Sequence, residues 1–399
     1  MRPMPHSHHF AESPERVGVD PEKLEALFAR AEREVRAGLL PSAQLAVARH
    51  GKIAAMRSFG SVTHQGRPAP ATDETLYVIF SATKAITSAA AWLLIEEGKL
   101  GLDERVADVI PEFGSHGKDA VTVEQLFTHS AGFPHAPFRP RDDAWGRLLD
   151  AFARWRLNWE PGSRFEYHPT SSMWVIAAIV AARSGIEFRE FVGRRIAEPL
   201  ELPDLRVGLP RAEHGRLADI AHVGEALTPE DFRARGFPVP PETEVTEEAL
   251  QGFNDVEVRE TGVPGGGGTA TAGDLALFYQ ALVNDGRGPQ GPVWRAETLR
   301  DARRIRNPEF LDPLFGKPAN RGLGVVVAGG PDKVFLGFGR TGSDAMFGHL
   351  GAGGQIAWAD PESGLSFAYL TNGHDRDVIR EGRRTVALSS LAAVCTLAE

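Results

Sequence analysis

The sequence predicts an α/β chain of the α+β kind, an antiparallel sheet flanked by terminal helices with a mainly helical lobe inserted into it. Three observations carry this expectation. Strand-like patterns lie at both ends of the chain, helical patterns fill the middle, and 399 residues suffice for two domains or one large core with an added lobe. The division reads as a sheet domain over 1–80 and 300–399 and a helical domain over 81–299, with the active site in the cleft between them.

The first element starts at Asp20-Pro21, an N-cap followed by proline at the first helical position. Leu24, Leu27, Phe28, Ala31 and Val35 then recur at helical spacing until Gly38, which predicts an amphipathic helix. Residues 43–60 read as two short strands around a His50-Gly51 turn, a hairpin. The segments 84–97, 123–130, 145–155, 171–184, 188–197 and 273–285 are helical in pattern. Strands return at 346–351, 355–359 and 365–371, the last two joined by a turn over 360–364. A helix from about 377 to 397 closes the chain.

Composition excludes several classes of function. Hydrophobic residues are 42%, charged residues 24% and aromatics 8%, which fits a packed globular core and not a disordered, collagenous or coiled-coil chain. A net charge of -9 argues against a nucleic-acid partner, which calls for the opposite balance or a basic patch. Cys395 is the only cysteine, so no intrachain disulfide and no cysteine-based zinc cluster can form, as suits a reducing compartment. The first ten residues are basic and polar, and no apolar run of leader or membrane-span length follows. The expectation is a cytoplasmic protein with no membrane partner; self-association stays open. His6, His8 and His9 read as a frayed tail and not a metal site. No metal or cofactor is expected.

Ser81-Ala-Thr-Lys84 opens an apolar helical stretch. Serine and lysine three residues apart on a helix point the same way, so the amine can approach the hydroxyl. A serine hydroxyl needs a base, and a lysine becomes one only where burial or a nearby cation lowers its pKa, which an apolar helix favours. With 18 serines and 7 lysines in the chain, chance supplies roughly 0.3 such pairs, so the motif alone decides little. A second pair, Ser115-His-Gly-Lys118, sits in a glycine-flanked polar loop where nothing is expected to desolvate the lysine.

Tyr167 follows a Pro161-Gly162 turn and precedes a helix beginning near Ser171. A phenol beside an ammonium gives up its proton more readily and can act as general acid or base, although a core tyrosine with a satisfied hydroxyl fits the pattern too. In Phe347-Gly-His-Leu-Gly-Ala352, glycines inside a strand mark close approach of a backbone or ligand, and the Ala352 N–H could serve as an oxyanion donor opposite Ser81. The 262–274 stretch is glycine-rich but lacks the P-loop and dinucleotide spacings; it reads as a tight turn lining the cleft. No Gly-x-Ser-x-Gly and no His-Glu-x-x-His occurs.

In this order, Ser81-x-x-Lys84, Tyr167, the glycine-rich turn and His349-x-Gly351 resemble the serine β-lactamase/penicillin-binding-protein superfamily, most of all the class C β-lactamase-like family VIII carboxylesterases. The segments 121–132 and 198–200 resemble the family's connecting stretches, and the likeness runs from about residue 15 to 395. The resemblance implies a β-lactamase/transpeptidase-like fold. It also implies Ser81 as the acylated nucleophile, Lys84 as its activating partner, Tyr167 as proton shuttle, and an oxyanion hole from the N–H groups of Ser81 and Ala352. Which of Lys84 and Tyr167 takes the serine proton stays open. His168, His349, Leu350 and Gly351 would line the substrate. The family's Lys-Thr-Gly, which holds a substrate carboxylate, is here His349-Leu350-Gly351, and its Tyr-x-Asn is Tyr167-His168-Pro169. Both departures favour small neutral esters over β-lactams or D-Ala-D-Ala peptides; the alternative is an amide, D-amino-acid peptide or β-lactam hydrolase or an acyltransferase on the same scaffold, with a non-catalytic scaffold that kept the fold ranked last.

Overall fold

The computed structural model describes residues 7–141, 143–240 and 245–397. The elements that frame the site are helices α1 (Pro21–Arg36), α2 (Thr83–Glu96), α3 (Ser171–Ser184), α4 (Ala272–Val283) and α5 (Val378–Ala393). The strands are β1 (Ser42–Arg49), β2 (Lys52–His64), β3 (Arg67–Pro70), β4 (Val326–Val327), β5 (Phe347–Gly351), β6 (Gln355–Ala359) and β7 (Leu365–Leu370).

The seven strands form one antiparallel sheet in the order β4-β5-β6-β7-β1-β2-β3. N-terminal β1 lies between β2 and C-terminal β7, with Leu45 opposite Tyr369, so both ends of the chain meet in the middle of the sheet. The β1–β2 turn has His50 at φ 53° and Gly51 at φ 74°. Two successive left-handed residues match the right-handed twist of a tight hairpin. The sequence gives no comparable signal for β3, which follows a second such turn at Gln65-Gly66.

One face of the sheet is covered by α1 and α5. Leu24, Leu27 and Phe28 of α1 and Leu388 of α5 share a buried cluster with Leu45, Val47, Trp358 and Phe367. Asp20 caps α1 by accepting from the Glu22 and Lys23 N–H groups. The other face carries α4, whose Gln280 amide donates to Ala48 O, Gly364 O and Ser366 Oγ. α4 was expected in the inserted lobe; it packs on the sheet because its apolar surface continues all the way round. On this face a second buried cluster takes in Leu275 and Phe278 of α4 with Ala46 and Ala368 of the sheet and runs on into α2 and α3, joining sheet and lobe through one core. A small sheet of Tyr77–Val78, Gly268–Ala270 and Arg206–Val207 seals the junction and delivers the chain to Ser81. The 188–197 helix is present and runs three residues further: the α-helix Phe188–Val192 continues without a break as a π-helical stretch over Gly193–Ala197 and ends at Leu200. Among the described residues, no single helix is long and apolar enough to cross a membrane.

Candidate active site

Ser81 sits in a tight turn, Phe80–Ala82, just before α2. Phe80 occupies the left-handed region at φ 43°, a conformation that costs a non-glycine residue about 1–2 kcal/mol and is held here by packing against Phe253 and His374. The turn leaves Ser81 partly exposed while Thr83 and Lys84 are fully buried.

Lys84 Nζ lies 3.1 Å from Ser81 Oγ and donates to Pro169 O at 2.7 Å and Gly265 O at 2.8 Å. Two carbonyls can only accept, so they use two N–H bonds of the amine and aim its remaining position at Ser81. As an ammonium it donates there; as a free amine it presents its lone pair. Burial pushes the Lys84 pKa down, with the Arg321 charge acting in the same direction and Tyr167 opposing it. From the other side Tyr167 Oη donates to Ser81 Oγ at 2.9 Å, and the Lys84 amine lies 4.9 Å from the tyrosine ring centre. Ser81 Oγ is therefore within proton-transfer reach of two groups.

The glycine-rich turn builds this pocket with its backbone. Gly265 O holds Lys84, Pro264 O accepts from Thr87 Oγ1, and Gly268 N–H donates to Thr83 Oγ1, tying the turn to α2. β5 closes the opposite wall. A Cβ on Gly351 would lie 2.5 Å from Ile79 O, so only glycine lets the strand approach the turn that carries Ser81. Ser81 and Ala352 both border a cavity of about 510 Å³, walled by Phe80, Phe138, Trp174, Leu250 and Phe253 among others.

Three expectations need correction. Leu350 was expected against the substrate, but alternation along β5 turns it to the far face, where it leans on Gly337 and the cluster beneath α1 and α5. His168 is fully buried; its Nδ1–H donates to Glu166 O and its Nε2 accepts from Phe133 N–H, so it braces the Tyr167 segment from behind. Burial drives its pKa down to about 3. Lys118 is not solvated. It is wholly buried, donates to Ser115 O and Trp155 O, lies 3.2 Å from Ser115 Oγ, and has its pKa lowered by burial to about 8. The second pair thus has the desolvation the sequence denied it, but Ser115 Oγ spends its proton on Ala153 O and borders no part of the cavity.

His349 does face the site. Its ring centre is 6.3 Å from that of Tyr167, its Nδ1–H donates to Leu350 O, and burial together with the Lys84 and Arg321 charges holds its pKa well below the ordinary histidine value. Sequence reasoning missed His129, whose Nδ1 accepts from the His168 N–H and whose ring lies 4.8 Å from Tyr167. It also missed Arg321, 5.7 Å from the Tyr167 ring centre. Neither belongs to a motif; His129 at φ 57° does stand in the Thr128-His-Ser-Ala-Gly132 stretch that approximates a nucleophile turn.

The metal-ligand side chains that gather elsewhere are His8, His9 and Glu201. His8 Nε2 lies 2.9 Å from Glu201 Oε2 and His9 Nε2 is 3.0 Å from Glu201 O, so this part of the tail is docked and not frayed; His6 lies outside the described residues. None of the three borders the cavity at Ser81.

The comparisons with known proteins agree with this geometry. The Beta-lactamase family model matches residues 28–392. Esterase EstB of Burkholderia gladioli is 30% identical over 88% of this chain and 90% of its own length. Esterase/beta-lactamase LipL of Mycobacterium tuberculosis is 26% identical over 76% and 70%. A solved penicillin-binding protein homologue from Caulobacter crescentus superposes with a TM-score of 0.76 at 28% identity, covering 94% of this chain and 98% of that one. With Ser81, Lys84 and Tyr167 brought within hydrogen-bond distance on this fold, the chain belongs to the Beta-lactamase family of serine hydrolases.

Proposed function

We propose that the protein is a serine carboxylesterase that hydrolyses small uncharged esters through an acyl-enzyme on Ser81. The observation that carries this reading is Ser81 Oγ held between Lys84 Nζ and Tyr167 Oη at the floor of a largely apolar cavity. As the serine attacks the ester carbonyl, its proton passes to Lys84 or Tyr167. The new oxyanion is met by the N–H groups of Ser81 and Ala352, donors that gain strength as charge develops on the oxygen. Tyr167 then protonates the departing alkoxide, and the same groups draw a proton from the water that releases the acid, restoring the starting state.

The preference for neutral esters rests on His349. Kept neutral by burial beside two cations, it offers a carboxylate no charge-assisted bond, and with Leu350 turned away β5 supplies no hydroxyl there either. Of the two arginines at the cavity rim, Arg141 already pairs with Asp255. The name of LipL, which joins esterase and β-lactamase, favours a second reading as a β-lactam or amide hydrolase on the same serine. Comparing p-nitrophenyl butyrate with a chromogenic cephalosporin separates the two. The ester reading expects kcat/KM at least ~100-fold higher on the ester, about 2.7 kcal/mol and the size of one or two charge-assisted hydrogen bonds. Equal or better turnover of the cephalosporin replaces it with the second.

A further inference from the structure

The charges around Ser81 do not balance. Arg321 is a permanent cation and Lys84 becomes one whenever it is protonated, and neither hydrogen-bonds or ion-pairs with a carboxylate among the described residues. Arg321 is 7% exposed, yet its Nε has no partner and no acceptor is found for its guanidinium; what it touches is the faces of Phe165 at 5.3 Å and Tyr167 at 5.7 Å. Its backbone is fixed by the Arg321 N–H donating to Asn307 Oδ1. Buried charges are ordinarily paired, because stripping water from an unpaired ion costs several kcal/mol, and arginine cannot escape by losing its proton.

The other titratable groups facing this space do not supply the missing anion. His129 from the 128–132 loop, His168 behind Tyr167 and His349 on β5 are all driven to the neutral form by burial. Asp312, the half-buried acidic group whose field reaches Arg321, makes no hydrogen bond or ion pair with it; its carboxylate accepts from the Leu314 N–H. Among the described residues, the hydroxyl-bearing ring beside Arg321 is that of Tyr167, which meets the Lys84 amine at Ser81.

We propose that Arg321 is a positioning residue of the catalytic site, an unneutralised cation that disfavours the fully protonated Lys84–Tyr167 pair and so keeps one of the two available to take the Ser81 proton. Loss of a proton from either group removes a positive charge, or adds a negative one, next to the guanidinium. The effect therefore has one sign whichever of them is the base. The inference rests on Ser81 as nucleophile and not on the ester preference.

The test is the pH dependence of Ser81 phosphonylation by a fluorophosphonate, read by intact mass, in wild type, Arg321→Met, Arg321→Gln and Arg321→Lys, between about pH 5 and 10. A unit charge about 6 Å away at an effective dielectric of 20–40 moves a titration by about one to two units. The neutral variants are expected to shift the midpoint upward by at least about one unit. Well below the midpoint they should label about tenfold more slowly, while the alkaline plateau stays within about threefold, and the Arg321→Lys midpoint should fall between those of wild type and the neutral variants, because a buried unpaired lysine can lose its proton where arginine cannot. An unmoved midpoint in the neutral variants overturns the proposal, as does an equal loss at every pH that lysine does not restore. Should neither neutral variant fold, Arg321→Lys decides: a midpoint raised above that of wild type supports the proposal and an unmoved one overturns it. A wild-type enzyme that labels on Ser81 but turns over no ester retires the ester reading alone.

Discussion

Gly351→Ala is a small change at a place where the structure leaves no room. The added Cβ would stand 2.5 Å from Ile79 O and 3.3 Å from Gln355 Cβ. Ordinary contact begins near 3.4 Å, so β5 and the turn must part by about 0.9 Å. Ile79 O also accepts from the Ala82 N–H and thereby shapes the turn that carries Ser81. Gln355, whose amide donates to Val78 O and Ala352 O, ties the two sides together, so neither can move alone. The separation falls between the two N–H groups assigned to the oxyanion. Misplacing a reacting group by about 1 Å costs on the order of 100-fold, and losing one oxyanion donor costs about 100- to 1,000-fold in kcat. We therefore expect kcat on p-nitrophenyl butyrate to fall by at least about 100-fold, with KM changed little. Overpacking itself should cost about 1–3 kcal/mol and lower the melting temperature by a few degrees. Gly382→Ala is the control: it lies within α5 with nothing inside 4 Å of the added methyl, and should leave activity unchanged while stabilising slightly. Gly351→Ala with turnover within threefold of wild type and an unshifted melting temperature would refute both the close approach and the role given to Ala352.

Ser81→Ala, Lys84→Ala and Tyr167→Phe should each reduce ester turnover by several orders of magnitude with native circular dichroism. Double variants should be little worse than singles, because the three act as one unit. Ser115→Ala should retain wild-type turnover, and its inactivity would move the nucleophile to the second pair. The rate should rise with pH through a single step: Lys84 is pushed below the ordinary lysine value, so its unprotonated form accumulates as pH climbs through the lowered pKa, and the enzyme should work best on the alkaline side. His349, held well below its ordinary pKa, is already neutral throughout this range, so His349→Ala should keep the limb. A wild-type limb near 6.5 that vanishes in His349→Ala would make the histidine the base.

What could be read from the sequence was whatever short-range rules govern. The His50-Gly51 turn, the Asp20-Pro21 cap and the 360–364 turn each act over a few residues, and the elements formed where those rules put them. Ser81, Lys84 and Tyr167 were legible together, through the order of motifs that resembles the family, where each motif alone decided little. Alternation was also the signal that places Leu350 opposite His349, and applying it to the triplet would have removed Leu350 from the substrate wall. The rest needed the fold. Lys118 is held by Trp155 O, 37 residues away in sequence, and lies over the Phe113 ring, so a loop that looked solvated is covered from a distant segment. The carbonyls of Pro169 and Gly265 that orient Lys84 carry no residue identity at all. Arg321 reaches Tyr167 across 154 residues and belongs to no motif.

The central claim is that Ser81, and not another hydroxyl, is the nucleophile made reactive by Lys84 and Tyr167. Incubation with a fluorophosphonate, followed by intact mass and peptide mapping, tests it most directly. The account requires one adduct per chain on the peptide containing Ser81, formation slowed by several orders of magnitude in Lys84→Ala, and none in Ser81→Ala. An adduct that persists in Ser81→Ala, or that maps to Ser115, would contradict it.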